Sequence, residues 1–180
     1  MNKMVIDFET NGFQGGSVLY CSVIIVDDNN DVLHQETRFY YPREAYSDGA
    51  LAINGLSKEV VDRHRADISY PKYYDEDGWC VNLSKEYDVE LLIAHNVEFD
   101  YSFLSQEFKS LRLKRFCTMQ ENTNFVGIRN QYGYKYPKLS EACKRYFIAF
   151  DSTQAHQSSY DTQKCLELYI ATQNRLEKAS

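Results

Sequence analysis

The run Met4-Val5-Ile6-Asp7-Phe8-Glu9 constrains this chain more than any other stretch. A short buried strand that ends in two carboxylates one residue apart holds both on the same side of the backbone, because strand side chains alternate with period two. Ionised carboxylates beside an apolar sheet repel each other and lose hydration. They persist cheaply only where a metal ion or a tight hydrogen-bond network neutralises them. Hard oxygen ligands of this kind favour Mg²⁺ or Mn²⁺. The same spacing recurs at Asp88 and Glu90, but ahead of the apolar run Leu91-Leu92-Ile93-Ala94, where it marks a solvated start to a strand. Asp7 and Glu9 sit instead at a strand exit, followed by the turn signal Thr10-Asn11-Gly12, and strand exits are where α/β proteins build their sites.

At 180 residues the chain has the size of one ordinary domain, and residues 1–180 are expected to form a single unit with its own core. No stretch approaches the roughly 20 apolar residues of a membrane span, and Met1-Asn2-Lys3 leads straight into strand sequence, which predicts a soluble, cytoplasmic protein with no membrane partner. Five cysteines, odd in number and without a Cys-x-x-Cys pair, argue against a disulfide framework or a zinc knuckle and for free buried thiols. A net charge of −6 speaks against a nonspecific nucleic-acid coat protein, while leaving room for a local basic patch beside an acidic cleft.

Along the chain, Met4 to Asp7, Val18 to Val26 and Val32 to Tyr41 read as a strand meander, with Asp27-Asp28-Asn29-Asn30 as a turn. Ser57 is placed to cap a short helix. Residues 66–88 are polar, tyrosine-rich and broken by Pro71 and Gly78, and read as loop with at most one helical turn. Leu91 to Ala94 form a strand. Asn96 then caps a helix in which Val97, Tyr101, Leu104, Phe108 and Leu111 make an apolar stripe, with Asp100 at its edge. Lys114 to Thr118 read as a last strand, Leu139 to Phe147 as a helix, Ser158 to Arg175 as the closing helix, and residues 123–137 as a mobile loop. The expected fold is α/β with a mixed sheet.

His156 and Asp161 are five residues apart. In one regular helix they would be separated by about 500° of rotation, hence about 140° on the helical wheel, and could not converge. Convergence requires His156 in the loop before the helix, with Ser158 or Ser159 as the cap and Asp161 in the first turn. The bland alternative is that Ser158-x-x-Asp161 is only a capping box.

Val5-Ile6-Asp7-Phe8-Glu9-Thr10, Ile93-Ala94-His95-Asn96-Val97-Glu98-Phe99-Asp100 and His156-Gln157-Ser158-Ser159-Tyr160-Asp161 together resemble the three motifs of the DnaQ-like 3′-to-5′ exonucleases with four acids and a histidine, the DEDDh group, in that family's order. Ile53-Asn54-Gly55-Leu56-Ser57 and Lys138-Leu139-Ser140-Glu141-Ala142-Cys143 are similar to two further stretches of it. Cys117-Thr118 departs from the family's frequent Asp-Thr. The resemblance implies a ribonuclease H-like fold: a five-stranded mixed sheet with helices on both faces. It also implies two Mg²⁺ or Mn²⁺ ions held by Asp7, Glu9, Asp100 and Asp161, with Asp7 touching both ions. His156 would be the general base, a task suited to imidazole chemistry near neutral pH. Thr10, Phe13, Ile53, Asn54, His95 and Phe99 would line the pocket for the terminal nucleotides, although Ile53 and Phe99 also fit ordinary core. The partners implied are single-stranded 3′ ends of DNA or RNA, with a polymerase or repair complex as a further option, and the products nucleoside 5′-monophosphates. Two alternatives stand beside this reading, a noncatalytic nucleic-acid-binding module on the same fold and a ribonuclease H-like endonuclease.

Overall fold

A computed structural model of the chain describes residues 1–12, 15–66 and 68–178. Three antiparallel strands open it: β1 (Asn2–Thr10), β2 (Val18–Val26) and β3 (Val32–Phe39). β4 (Val89–Ala94) then pairs parallel with β1, and β5 (Lys114–Cys117) pairs parallel with β4. The resulting five-stranded mixed sheet has the order β3-β2-β1-β4-β5, so β1 is the central strand where the antiparallel and parallel halves meet. The turn between β2 and β3 is tied by the Asp27 carboxylate, which accepts hydrogen bonds from the Asn29 and Asp31 N–H groups at 2.9 Å. Asn30 there takes a left-handed backbone (φ 69°), a conformation its short polar side chain tolerates.

Period-two alternation sorts the sheet residues between two cores. Met4, Ile6 and Phe8 of β1 join Cys21, Val23 and Ile25 of β2 on one face, under α3 (Trp79–Glu86), α4 (Val97–Phe103) and α5 (Gln106–Ser110). Val5, Ile24, Val26, Leu91 and Ile93 line the other face against Cys165, Leu166 and Tyr169 of the closing helix. Both faces of β2 are therefore covered, which explains why all nine of its residues are buried and why it reads as a continuous apolar run. Four of the five cysteines are buried, Cys21, Cys80 and Cys165 within these two cores, and all five are free thiols. No described helix is long and apolar enough to cross a membrane.

Several boundaries differ from the sequence expectation for identifiable reasons. The segment around residues 50–65 holds two helices, α1 (Asp48–Asn54) capped by Ser47 and α2 (Lys58–His64) capped by Ser57, separated by Gly55 in the left-handed region (φ 69°). The single helix expected after Asn96 is divided. Leu104 is extended (ψ 144°) and Ser105 recaps the chain, its Oγ accepting from the Phe108 N–H at 3.1 Å, so the apolar stripe is shared by α4 and α5. Asn96 occupies the N-cap position without making a side-chain cap. Residues 66–88 are not simply loop: a 3₁₀ turn at Tyr74–Glu76 leads into α3, whose Trp79, Cys80, Leu83 and Ser84 are buried. Helix-period burial was present there, but two of the five buried residues are Cys80 and Ser84, and the N-cap is a glycine without a side chain. Residues 123–137 likewise begin inside α6 (Thr118–Val126) and continue into a hairpin of β6 (Arg129–Asn130) and β7 (Gly133–Tyr134). Two helices complete the chain, α7 (Leu139–Arg145) and the 20-residue α8 (Ser158–Glu177).

α3 is the clearest test of this packing, because Trp79 is 4% exposed and its ring lies 4.5 Å beneath the Arg38 guanidinium. Trp79→Ala is expected to cost about 3–5 kcal/mol, read as a lowered urea midpoint; a loss below about 1 kcal/mol would mean that α3 lies outside the cooperative core.

Candidate active site

Because Val5 faces α8, the alternation of β1 carries Asp7 and Glu9 to that same side. Both lie at the exit of the central strand, directly beside the N-terminus of α8. The Ser158 hydroxyl, the first residue of that helix, donates to the Asp7 backbone carbonyl at 2.7 Å and locks helix to strand. Ser158 is thus not the cap: Gln157 occupies that position without a side-chain bond, and the hydroxyl is spent on β1. Asp161 does not close a capping box with Ser158 either. Its Oδ2 accepts the His156 N–H at 2.8 Å, which holds the preceding loop back against the first helical turn. His156 therefore lies in the loop, in the left-handed region at φ 65°, a conformation that costs a non-glycine residue free energy and is maintained by its surroundings. Asp100 arrives from α4 and accepts the Phe8 N–H at 3.2 Å.

These acids and His156 line one cleft of about 750 Å³. Donor atoms of Glu9, His156 and Asp161 lie within 4.8 Å of one another, and His156 Nδ1 is 4.0 Å from Glu9 Oε1. Asp100 is 3% exposed and Asp161 9%. Burial, reinforced by the charges of Asp100, Glu9 and Asp161, holds the Asp7 carboxyl well above the usual carboxylate range. Burial and the Asp161 charge push Glu9 up to about 8. Asp100 is pushed up to about 7 by burial, against the opposing Phe8 hydrogen bond, and Asp161 is raised by burial. Four carboxyls that resist ionising together are a group that a cation would discharge. The donor set fits a hard divalent metal: Asp7 Oδ2 and Asp161 Oδ1 are buried oxygens without a hydrogen-bond partner among the described residues, and carboxylate oxygens suit Mg²⁺ or Mn²⁺.

The residues expected to hold substrate separate into distinct uses. Thr10, Ile53, Asn54, His95 and Phe99 all line the cleft, and Phe13 lies outside the described residues. Ile53 is 51% exposed and so is not core. Phe99 is half-buried, its ring edge-on to Phe103 at 5.1 Å. The Asn54 amide donates to the Thr10 carbonyl at 3.1 Å and its oxygen accepts the Leu56 N–H, which pins α1 to the end of β1. The Thr10 hydroxyl donates to the Gly12 carbonyl. His95 is engaged at both ring nitrogens, by Thr118 Oγ1 at 2.9 Å and by the Pro137 carbonyl at 3.0 Å. A carbonyl only accepts, so Nε2 carries the proton and Nδ1 accepts from the Thr118 hydroxyl. Sequence reasoning missed Asn11, whose amide bonds Glu44 and the Ala45 carbonyl and whose oxygen accepts the Ser47 N–H, fixing the rim that carries α1. It also missed Lys138, Leu139 and Phe150 on the cleft wall. Asn11 stood in the turn signal itself, but nothing local tells a turn asparagine from one bonded more than thirty residues away.

A mixed five-stranded sheet whose central strand ends in paired acids, with further acids from α4 and α8 around one cleft, defines a nuclease-type α/β domain. The RNase_T exonuclease family matches residues 4–169, and the chain belongs to this family of DnaQ-like 3′-to-5′ exonucleases acting on nucleic acids. It is 36% identical over 190 residues to ribonuclease T of Haemophilus ducreyi, covering 97% of this chain and 86% of that one. Against ribonuclease T of Vibrio parahaemolyticus it is 27% identical over 186 residues, covering 96% and 85%. Among solved structures, exonuclease X in complex with 5′ overhanging duplex DNA has a similar fold, with a TM-score of 0.67 at 22% identity over 96% of this chain and 92% of that one. E. coli exonuclease I in complex with a dT13 oligonucleotide gives 0.70 at 17% identity, over 99% of this chain and 43% of that one.

Two outcomes follow from the site's electrostatics. Burial lowers His95 from 6.5 to about 4, so the folded protein holds it neutral while the unfolded chain takes up a proton below pH 6.5. Its contribution is present above the unfolded value and lost as pH falls from 6.5 towards 4, at most about 3 kcal/mol. Melting temperatures between pH 7 and 5 should therefore decline less steeply for His95→Gln than for wild type, and parallel curves would refute a neutral buried imidazole. Separately, Mn²⁺ should raise the melting temperature of wild type by discharging the acids, and should do so much less for Asp7→Ala; equal shifts in both would place the ion elsewhere.

Proposed function

We propose that this exonuclease is metal-dependent, using two Mg²⁺ or Mn²⁺ ions to hydrolyse the terminal phosphodiester at 3′ ends and release nucleoside 5′-monophosphates. The observation that carries the reading is the meeting of Asp7, Glu9, Asp100, Asp161 and His156, drawn from three distant stretches of sequence, in one cleft. Orphaned oxygens on Asp7 and Asp161 support the same four acids as the metal ligands. When bound, divalent ions supply charge stabilisation for the phosphoryl group and lower the pKa of water.

The remaining work falls to the chain's own groups. His156 accepts the proton of the attacking water at an imidazole nitrogen, with the Glu9 carboxylate 4.0 Å away to stabilise the imidazolium that results. Its side chain is 58% exposed, which lets the proton pass on to solvent after each turnover. The Asp161 bond to the His156 backbone N–H positions that loop without consuming the ring. Ile53 of α1 and Phe99 of α4 present apolar and aromatic surface to the cleft, suited to gripping a terminal base by contact and stacking rather than by base-specific hydrogen bonds. Ribonuclease T relatives and exonuclease neighbours crystallised with DNA support nucleic acid of either sugar as the substrate class. The basic residues at the α5–β5 turn support a phosphate track less well, because Arg115 is paired with Glu98 at 3.0 Å and Lys109 donates to the Ser102 carbonyl.

Asp7→Ala is expected to abolish Mg²⁺-dependent degradation of a labelled oligonucleotide while the protein stays folded, since deleting one of several repelling carboxylates relieves the metal-free structure. His156→Ala should lower kcat by about 100-fold or more with KM little changed, whereas an equal loss in binding would reassign the histidine to substrate grip. Blocking the 3′ terminus should stop degradation by wild type, and internal cuts in the blocked strand would make the enzyme an endonuclease instead.

A further inference from the structure

The cleft gathers four carboxylates, yet its substrate is a polyanion, and among the described residues Lys138 is the one lysine or arginine on its wall. Lys138 closes a segment unlike the rest of the chain. Residues 127–138 contain Arg129, Lys135 and Lys138, three tyrosines and no acid, within a protein of net charge −6. The segment folds as the β6–β7 hairpin, with Arg129 opposite Tyr134 and Asn130 opposite Gly133. Its tip is fixed by the Asn130 side chain, which accepts the Tyr132 N–H at 2.9 Å, and its base by the Lys135 N–H bonded to the Ile128 carbonyl at 2.9 Å.

Three tyrosines on this hairpin arm face solvent rather than core: Tyr132 is 88% exposed, Tyr134 46% and Tyr136 61%. Keeping three aromatic rings in water gains no folding energy. Arg129 stays beside them, its guanidinium 5.0 Å from the Tyr134 ring and bonded to that hydroxyl at 3.3 Å, with no carboxylate partner among the described residues. The arm is also coupled to the cleft. The Pro137 carbonyl accepts the His95 ring N–H at 3.0 Å, and Lys138 follows immediately on the cleft wall.

We propose that this arm is a stacking track for the single strand upstream of the 3′ end. Tyr132, Tyr134 and Tyr136 take base faces, Arg129 takes the backbone, and Lys138 pairs with a phosphate at the mouth of the cleft. Lys135 is spent on Glu141 at 2.7 Å, which leaves Arg129 and Lys138 as the arm's cations without an ion-pair partner among the described residues; exposed aromatics interleaved with such cations and continuous with a catalytic cleft are the combination by which single strands are held without sequence preference. The track rests on the exonuclease reading for its polarity, and it selects single-stranded substrates several nucleotides long over dinucleotides.

The test is binding of a fluorescently labelled single-stranded 12-mer, ended in phosphorothioate linkages to stop turnover, measured by anisotropy with Mg²⁺ present. The triple variant Tyr132→Ser, Tyr134→Ser, Tyr136→Ser is expected to bind about tenfold or more weakly than wild type. Its melting temperature should be close to that of wild type, because the rings are exposed. Lys138→Gln should flatten the dependence of log Kd on log salt by about 0.7, the contribution of one phosphate contact on a single strand. Unchanged affinity in the triple variant would overturn the proposal and leave the tyrosines to a protein partner. An equal loss for a labelled dinucleotide would also overturn it, since that ligand does not reach the hairpin. Hydrolysis of an unmodified 12-mer by wild type is scored separately: weakened binding without hydrolysis would sink the exonuclease reading and keep the track, and hydrolysis with unchanged binding would do the reverse.

Discussion

Mutual repulsion among Asp7, Glu9, Asp100 and Asp161 is the force that the rest of this structure is organised to withstand. Each carboxyl is driven upward in pKa by burial, and the Asp7 and Glu9 carboxyls further by charged neighbours. Left to themselves the side chains would swing apart into water. They are kept together because three of them stand on elements that cannot move cheaply. β1 is the central strand and is paired along both edges. α8 spans 20 residues and buries Cys165, Leu166, Leu168 and Tyr169. Burying such side chains contributes roughly 1.5–3 kcal/mol each, enough in sum to oppose the electrostatic cost of a few poorly solvated acids. The direct restraints on the carboxylates are few: a Phe8 N–H on Asp100, a His156 N–H on Asp161, and the Ser158 and Asn54 side chains beside Asp7 and Glu9. Carboxylate oxygens are thereby left free for ligation, as they would not be in a site built for rigidity alone.

That division between a stiff scaffold and a sparsely bonded site explains what could be read from the sequence. Strand alternation placed Asp7 and Glu9 on one side of β1, and helical rotation meant that His156 could meet Asp161 only from the loop before the helix. Both conclusions hold in the structure because they depend only on local geometry, which tertiary packing cannot alter. The strands of the sheet were equally legible, since Val18–Val26 and Leu91–Ala94 are apolar enough to be strands in any context, the second beginning two residues earlier than read. Failures gather where side-chain identity is ambiguous. Ser158 has the form of a cap but bonds a carbonyl 151 residues away. Leu104 continues an apolar stripe, yet Ser105 restarts the helix. α3 mixes Cys80 and Ser84 into a buried face of Trp79, Val81 and Leu83, and a tyrosine-containing segment that looks like loop folds into a hairpin. The roles of Asn11 and of both His95 nitrogens were beyond local reasoning, because their partners come from remote loops.

His95 shows how the second motif serves the site without chemistry of its own at the ring. With one nitrogen on Thr118 and the other on Pro137, the imidazole ties the start of α6 to the foot of the β6–β7 arm. Since the same residue leads directly into Asn96 and α4, which carries Asp100, one side chain links an acid of the cleft to the segment that delivers Lys138. A charge change at His95 would loosen both connections together, and burial, which lowers the ring to about 4, disfavours that change near neutral pH.

The charge pattern of the whole chain then acquires a direction. Twenty-six acids against twenty lysines and arginines would repel a polyanion from most approaches. Acidic surface near the cleft is tolerable only where cations have discharged it, and a strand approaching from elsewhere meets net negative potential. Residues 127–138 break that pattern with three basic residues and no acid, and they end at the cleft wall. The least costly path for a nucleic acid strand thus runs along the tyrosine arm and past Lys138 before its terminus reaches the four carboxylates. On that path the charge of the last phosphate would be progressively screened and the strand behind it already held by the arm, so the entropy of ordering the flexible strand would be met before the reacting bond is in place.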